Sequence, residues 1–194
     1  MDLPDTTGHP FRTLAPGDAA AAVGATDLVL ESSAFGGGTH PTTVSCLEVL
    51  AALAPLGGLR LLDLGSGTGI LAIAALRLGA AAAVCVDVNP DAVASARRNG
   101  IANRVDDRLE HRCGTADDLA GERFDLVVAN IGGELLVDEA ERIVALARPG
   151  GRLLLSGLLR GYAGELEATY ARHGCGVLAR RFPAEFCTLL LRRG

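Results

Sequence analysis

Leu61-Leu62-Asp63-Leu64-Gly65-Ser66-Gly67-Thr68-Gly69-Ile70 is the stretch whose reading decides the fold. An apolar strand runs straight into three glycines, and a helix carrying Ile70, Leu71, Ile73, Ala74, Ala75, Leu76 and Leu78 follows. Glycine reaches tight backbone angles and lets the main chain approach a ligand with no Cβ in the way. The helix beyond presents unpaired N–H groups to whatever rests on the loop. Ala82 to Val88 reads as a second buried strand, and Asp87 near its end lies 22 residues beyond Gly65. In doubly wound folds a carboxylate about 20 residues past the glycine loop grips ribose hydroxyls. Together these features point to a nucleoside-containing cofactor.

The spacing narrows the choice of cofactor. A dinucleotide loop of the form G-x-G-x-x-G needs glycine at position 70, which is Ile70 here. The chain contains no lysine, so a P-loop is excluded. An acidic residue, Asp63, two positions before a G-x-G-x-G loop resembles the first motif of class I S-adenosylmethionine (SAM) methyltransferases.

Bulk properties set the frame. A chain of 194 residues with 49% hydrophobic and 21% charged residues reads as one globular domain with a sizeable core. Its net charge of −5, without a basic block, argues against wrapping nucleic acid through its phosphates. Five cysteines without a C-x-x-C, several inside apolar stretches, favour free buried thiols in a reducing cytosol. Neither a signal peptide nor a run of about 18 apolar residues is apparent, so a cytoplasmic location without membrane contact is expected. The four histidines are scattered; His111 and Cys113 form a period-two pair on a probable strand, and no metal site is expected there.

Along the chain, Phe11 to Glu31 holds two short apolar pieces around Pro16-Gly17-Asp18, a hairpin or an irregular lead-in. The helix through Val44, Leu47, Leu50 and Leu53 takes Thr42 or Thr43 as its natural N-cap. Strand and helix then alternate. Strands are expected at Leu109–Cys113, Phe124–Asn130 and Leu153–Leu159, with helices from Asn89 to about Asn99, Glu134 to Ala147 and Ala163 to His173. Val177–Phe182 and Phe186–Leu191 suit a terminal antiparallel pair. The pattern implies a doubly wound α/β fold, a mostly parallel sheet of about seven strands with helices on both faces. Ligands in such sheets bind outside the carboxyl ends of the strands, where the strand order switches. That edge collects Gly65 to Gly69, Asp87, Gly114 to Ala116 and Asn130 to Gly133.

With these residues in hand, the chain resembles the PrmA family, which methylates ribosomal large-subunit protein eleven. The resemblance is carried by Ala34-Phe35-Gly36, Gly38-Thr39-His40-Pro41-Thr42-Thr43, Leu62 to Ala75, Val86-Asp87-Val88-Asn89-Pro90, Val128-Ala129-Asn130-Ile131 and Leu155-Ser156-Gly157. It implies a SAM-dependent N-methyltransferase, with Thr43, Gly65, Asp87 and Asn130 at the family's cofactor-binding positions. Asp63, Ser66, Gly67 and Gly69 extend that set along the loop, and Thr115, Ala116 or Asp117 borders the adenine. The sequence departs at Gly37, where members usually carry Thr, and at Gly132-Gly133-Glu134-Leu135. The family also carries a separate N-terminal domain that grips the ribosomal protein, for which 33 residues ahead of Ala34 are too few. The expected organisation is a lead-in over 1–33 and a methyltransferase domain over 34–194.

Asn130 ends the fourth strand beside the transferable methyl, so its carboxamide oxygen can accept from an amine nucleophile. It is the candidate catalytic residue. The bland alternative is that Asn130 only caps the next helix. His40 and Thr43 cover the cofactor as a lid, or His40 serves a loop hydrogen bond. Two other functions stay open: a small-molecule methyltransferase on the same fold, and an inactive SAM-binding partner protein. The expected methyl acceptor is a protein, with a ribosomal protein possible.

Overall fold

The computed structural model describes residues 10–21, 24, 26–31 and 38–194. The Ala34–Gly37 piece of the family stretch lies outside the described residues. Strands β1 (Arg12–Leu14) and β2 (Asp27–Val29) form a separate two-stranded sheet, and helix α1 (Pro41–Ala52) leads into the main domain. There β3 (Arg60–Leu64), α2 (Ile70–Arg77), β4 (Ala82–Asp87), α3 (Pro90–Ala102), β5 (Leu109–Cys113) and β6 (Phe124–Asn130) alternate as expected. The chain continues through α4 (Gly133–Asp138), α5 (Ala140–Leu146), β7 (Ala147–Leu159), α6 (Ala163–Arg172), β8 (Cys175–Arg181) and β9 (Phe186–Arg193).

The seven strands run in the order β5-β4-β3-β6-β7-β9-β8, and β9 alone runs opposite to the other six. The chain winds outward from β3 to β5, then returns to lay β6 on the other side of β3. That reversal parts the connections at the carboxyl ends of β3 and β6 and opens a crevice there. Strand residues alternate between two cores, as a period of two requires. Leu61, Val128 and Leu154 face the layer of α1 and α2, while Leu62, Val127 and Leu153 face the layer of α4, α5 and α6. Both faces are covered, which is why these strands read as continuous apolar runs.

Four expectations are corrected. The lead-in is not a hairpin: β1 and β2 pair in parallel, because a 3-10 helix over Pro16–Ala21 crosses over between them. The helix read over Glu134–Ala147 is two helices that bend at Glu139 (φ −95°, ψ 9°). Leu136, Ala140, Ile143 and Val144 stay buried through the bend, so helical spacing of apolar residues runs across it unbroken. Strand β7 begins at Ala147 rather than Leu153, pairing Ala147 with Phe124 before a register shift. Finally, α1 starts at Pro41 and is capped by His40, not by Thr42 or Thr43. Proline fixes its own φ and needs no helical N–H partner, so it takes the first helical position and leaves the cap to the residue before it.

Two buried asparagines, Asn99 on α3 and Asn103 at its C-cap, fasten the lead-in to the domain. Asn103 Oδ1 accepts from Val29 N at 2.9 Å and its Nδ2 donates to Val29 O at 2.6 Å. One turn earlier, Asn99 Oδ1 accepts from Glu31 N, and Asn99 Nδ2 donates to Thr68 O, each at 2.9 Å. Asn99 thus ties the lead-in to the glycine loop through one side chain. Asn103→Ala strands both polar groups of Val29, which is 1% exposed. Each orphaned group costs about 1–3 kcal/mol, so denaturant unfolding should show a loss of about 2–6 kcal/mol. Asp106→Ala, at an exposed position on the same side of the domain, should stay within about 0.5 kcal/mol of wild type.

Candidate active site

The glycine loop sits at the crevice with Gly65, Gly67 and Gly69 at φ of +72°, +52° and +77°. A Cβ on Gly65 would stand 2.2 Å from Ile131 Cγ2, so this position is closed to any side chain. Gly65 N and Ser66 N both donate to Val86 O, which docks the loop against the end of β4. Asp87 at that strand end takes the next bond: its Oδ2 accepts from Gly67 N and its Oδ1 from Asn89 N, both at 2.9 Å. One carboxylate therefore fixes the turn of the loop and the entry to α3. Each of its oxygens keeps a further lone pair for a hydroxyl.

Beneath the loop, Asp63 is 1% exposed and its Oδ2 accepts from Ala72 N in the first turn of α2 at 3.1 Å. Burial pushes its carboxyl up to about 7; the bond from Ala72 N opposes the rise and the charge of Asp87 adds to it. A positive charge brought into the crevice would favour the ionised form.

Asn130, at the end of β6, donates from Nδ2 to Thr43 Oγ1 on α1 at 3.4 Å. This bond leaves Oδ1 available in the wall of the crevice. Asn130 does not cap α4, whose N-cap Gly132 has no side-chain bond, so the bland alternative has no support in the geometry. His40 does serve a local bond: its Nδ1 lies 2.8 Å from Thr42 Oγ1 and caps Thr42 N, while its ring meets Phe186 edge-on at 5.1 Å.

A cleft of about 240 Å³ brings together Thr43, Asp63, Gly65, Ser66, Gly67, Asp87 and Asn130 from the expected set. Two expected residues are not in its wall. Gly69 is the left-handed N-cap of α2, and a Cβ there would press on Ala96 at 3.1 Å, so its role is close packing of α2 on α3. Thr115 forms a capping box with Asp118 over the short 3-10 turn Ala116–Leu119. The wall also includes Thr68, Ile70 and Leu71, which the sequence reading passed over as loop and helix. Their signal was position: Thr68 stands between the last two glycines of the loop, and Ile70 and Leu71 are the first two residues of α2. A second cleft of about 660 Å³ lies across Asn130 and Thr43, lined by His40, Pro41, Gly132, Gly157 and Phe186. Among the described residues no group of three or more His, Cys, Asp or Glu is placed to hold a metal.

This strand order, with a glycine loop and a strand-end carboxylate at the switch point, defines the class I methyltransferase fold. A ribosomal protein L11 methylase from Lactobacillus delbrueckii subsp. bulgaricus shares that fold, with a TM-score of 0.82 over 94% of this chain and 93% of that one at 23% identity. So does magnesium protoporphyrin IX methyltransferase from Synechocystis, with a TM-score of 0.66 over 77% of each chain at 20% identity. The chain belongs to the PrmA family, described as ribosomal protein L11 methyltransferase, whose family model matches residues 27–193. It is 48% identical over 157 residues to the ribosomal protein L11 methyltransferase of Azotobacter vinelandii, covering 80% of this chain and 52% of that protein. The corresponding Xylella fastidiosa protein is 49% identical over 141 residues, covering 71% of this chain and 45% of that protein. The chain thus spans about half the length of the curated relatives it matches.

The raised carboxyl of Asp63 has a signed consequence for stability. The unfolded chain ionises it at about 3.9, while the folded one holds its proton to about 7. Stability from this group is full below about pH 4 and is lost as the pH rises to about 7. In the ligand-free protein, melting temperature should therefore fall between pH 5 and pH 8 relative to Asp63→Asn, which does not ionise. Parallel pH profiles for the two proteins would show that Asp63 is ionised throughout.

Proposed function

We propose that this chain is the catalytic part of a SAM-dependent N-methyltransferase acting on a protein amine, with 34–194 as its methyltransferase domain. The observation that carries the reading is the shared wall at Asn130: one side chain borders the glycine-loop cleft and the open second cleft. The first cleft suits SAM, because the backbone at Gly65 and Gly67 is bare and Asp87 has lone pairs left for ribose hydroxyls. When bound there, SAM supplies an electrophilic methyl on a sulfonium, whose positive charge Asp63 and Asp87 balance.

The rest is positioning by the chain's own groups. Thr43 orients the Asn130 carboxamide so that Oδ1 accepts from the incoming amine and lines up its lone pair. With the cleft of Gly65, Gly67 and Asp87 holding SAM, Asn130 would keep the acceptor nitrogen in line with the methyl that SAM would supply, and the surplus proton of the amine would leave to water. A lysine with a pKa of about 10.4 must first lose a proton, at a cost of roughly 4 to 5 kcal/mol near neutral pH. The family's ribosomal protein is the natural acceptor to try first. No helix among the described residues is long and apolar enough to cross a membrane. A cytoplasmic site of action without nucleic-acid or membrane partners belongs to the same reading.

Calorimetry with SAM, followed by transfer of a labelled methyl to cell extract separated into protein and small-molecule fractions, tests it. Label confined to small molecules would overturn the protein acceptor, and binding without transfer to either would make the chain an inactive SAM-binding protein. Asp87→Ala removes a ribose acceptor and unpins Gly67, so SAM affinity should fall about tenfold or more. Asn130→Ala should lower the single-turnover rate at saturating SAM about 10²-fold, with affinity changed less than by Asp87→Ala. Wild-type turnover by a folded Asn130→Ala protein would make Asn130 structural.

A further inference from the structure

The cavities do not end at the second cleft. Gly132 and Gly157 line it and also line a groove of about 830 Å³ between α4, the end of β7 and the start of α6. Three large apolar side chains stand open there: Leu135 is 54% exposed, Leu159 49% and Tyr162 58%. Glu134, Asp138 and Glu165 share the groove, are exposed, and have no ion-pair partner among the described residues. The cations nearest in sequence are engaged elsewhere: Arg142 pairs with Glu139 and Asp117, Arg160 lies over the Phe182 ring at 4.4 Å, and neither lines the groove.

We propose that this groove seats an extended, positively charged segment of the acceptor polypeptide and leads its amine past Gly132 and Gly157 to Asn130. The inference rests on the methyl-transfer reading above and names what that site selects. An open apolar floor marks an interaction surface, and three uncompensated carboxylates favour an occupant that interleaves cations with apolar side chains. The same carboxylates repel nucleic-acid phosphate. A second copy of a chain with net charge −5 would meet like charge as well. The connection between groove and cleft is kept open at Gly132 by a missing side chain. A Cβ there would meet nothing within 4 Å, and its φ of −56° is one any residue adopts. Gly157, in contrast, needs its φ of +101°, and a Cβ would strike Ile131 O at 2.2 Å.

The test titrates two fluorescent peptides into protein saturated with S-adenosylhomocysteine, reading anisotropy. One alternates arginine with leucine or valine around a single lysine; its counterpart replaces each arginine by glutamate. The basic peptide should bind at least about tenfold more tightly, and salt raised from about 0.05 to 0.3 M should weaken it severalfold. The triple variant E134Q/D138N/E165Q should weaken it about tenfold while leaving SAM affinity unchanged. Gly132→Val should keep peptide binding and lower methyl transfer to the lysine about tenfold or more, through the lost passage. The enzyme has no lysine of its own, so labelled methyl-lysine reports the peptide alone. Equal affinity for the two peptides, no binding of either, or an unaltered triple variant would overturn the groove. A wild-type dimer in sedimentation that the triple variant dissolves would assign the groove to a second copy and overturn it too. Failure of SAM to bind at all would instead sink the methyltransferase reading. Methylation of extract proteins untouched by the groove variants would keep that reading and remove only the groove.

Discussion

The hydrogen bonds to Asp87 are the constraint on which the site depends. A loop of three glycines gains nothing from side chains and loses much chain entropy on ordering. It holds one shape because Gly67 N is taken by Asp87 Oδ2, Gly65 N and Ser66 N by Val86 O, and Thr68 O by Asn99 Nδ2. Four anchors from β4 and α3 thus fix a loop that leaves β3. The parallel pairing of β3 with β4 supplies the geometry, bringing Val86 opposite Leu64 just where the glycines begin. Remove that register and the carboxylate no longer faces the loop.

The same anchors join parts of the molecule that the topology keeps apart. Asn99 reaches the lead-in at Glu31 and the loop at Thr68, so the β1–β2 sheet and the glycine loop are secured from one helix. On the opposite side, Thr43 of α1 meets Asn130 of β6. The crevice therefore has one wall set by α3 and one set by α1, and both depend on polar side chains buried or half-buried among apolar neighbours. Such groups are costly unless paired, which makes each pairing specific. Tyr170 does comparable work in the other core, where its hydroxyl donates to Leu136 O and holds α6 to α4.

What the site can do follows from where charge is allowed. Asp63 is deep and tends to keep its proton; Asp87 is at the rim and bonded to two N–H groups. Two carboxylates at one crevice suit a cationic ligand with hydroxyls, and Asn130 adds a neutral acceptor at the boundary with the second cleft. Among the described residues no strong base lines either cleft beside it. Alignment and exclusion of water, more than proton abstraction, are what this arrangement offers.

The sequence alone determined the fold class, because alternating apolar runs, a G-x-G-x-G turn and a carboxylate at the next strand end are local signals with local causes. It also led to one strand edge for the glycine loop and Asp87, which the fold brings into one cleft. Spacing did not reveal the break at Glu139, since apolar periodicity carries through the bend, nor the parallel lead-in, since strand direction is set by the crossover and not by the strand's own residues. Asn99 and Asn103 fell on the buried face of α3 at helical spacing after Ala92 and Ala96, a legible oddity, yet their partners lie 31 to 74 residues away. The Asn130–Thr43 contact, across 87 residues, exists only once α1 is laid against the ends of the sheet. Side-chain partners across such distances are chosen by packing, and only the tertiary structure brings them into reach.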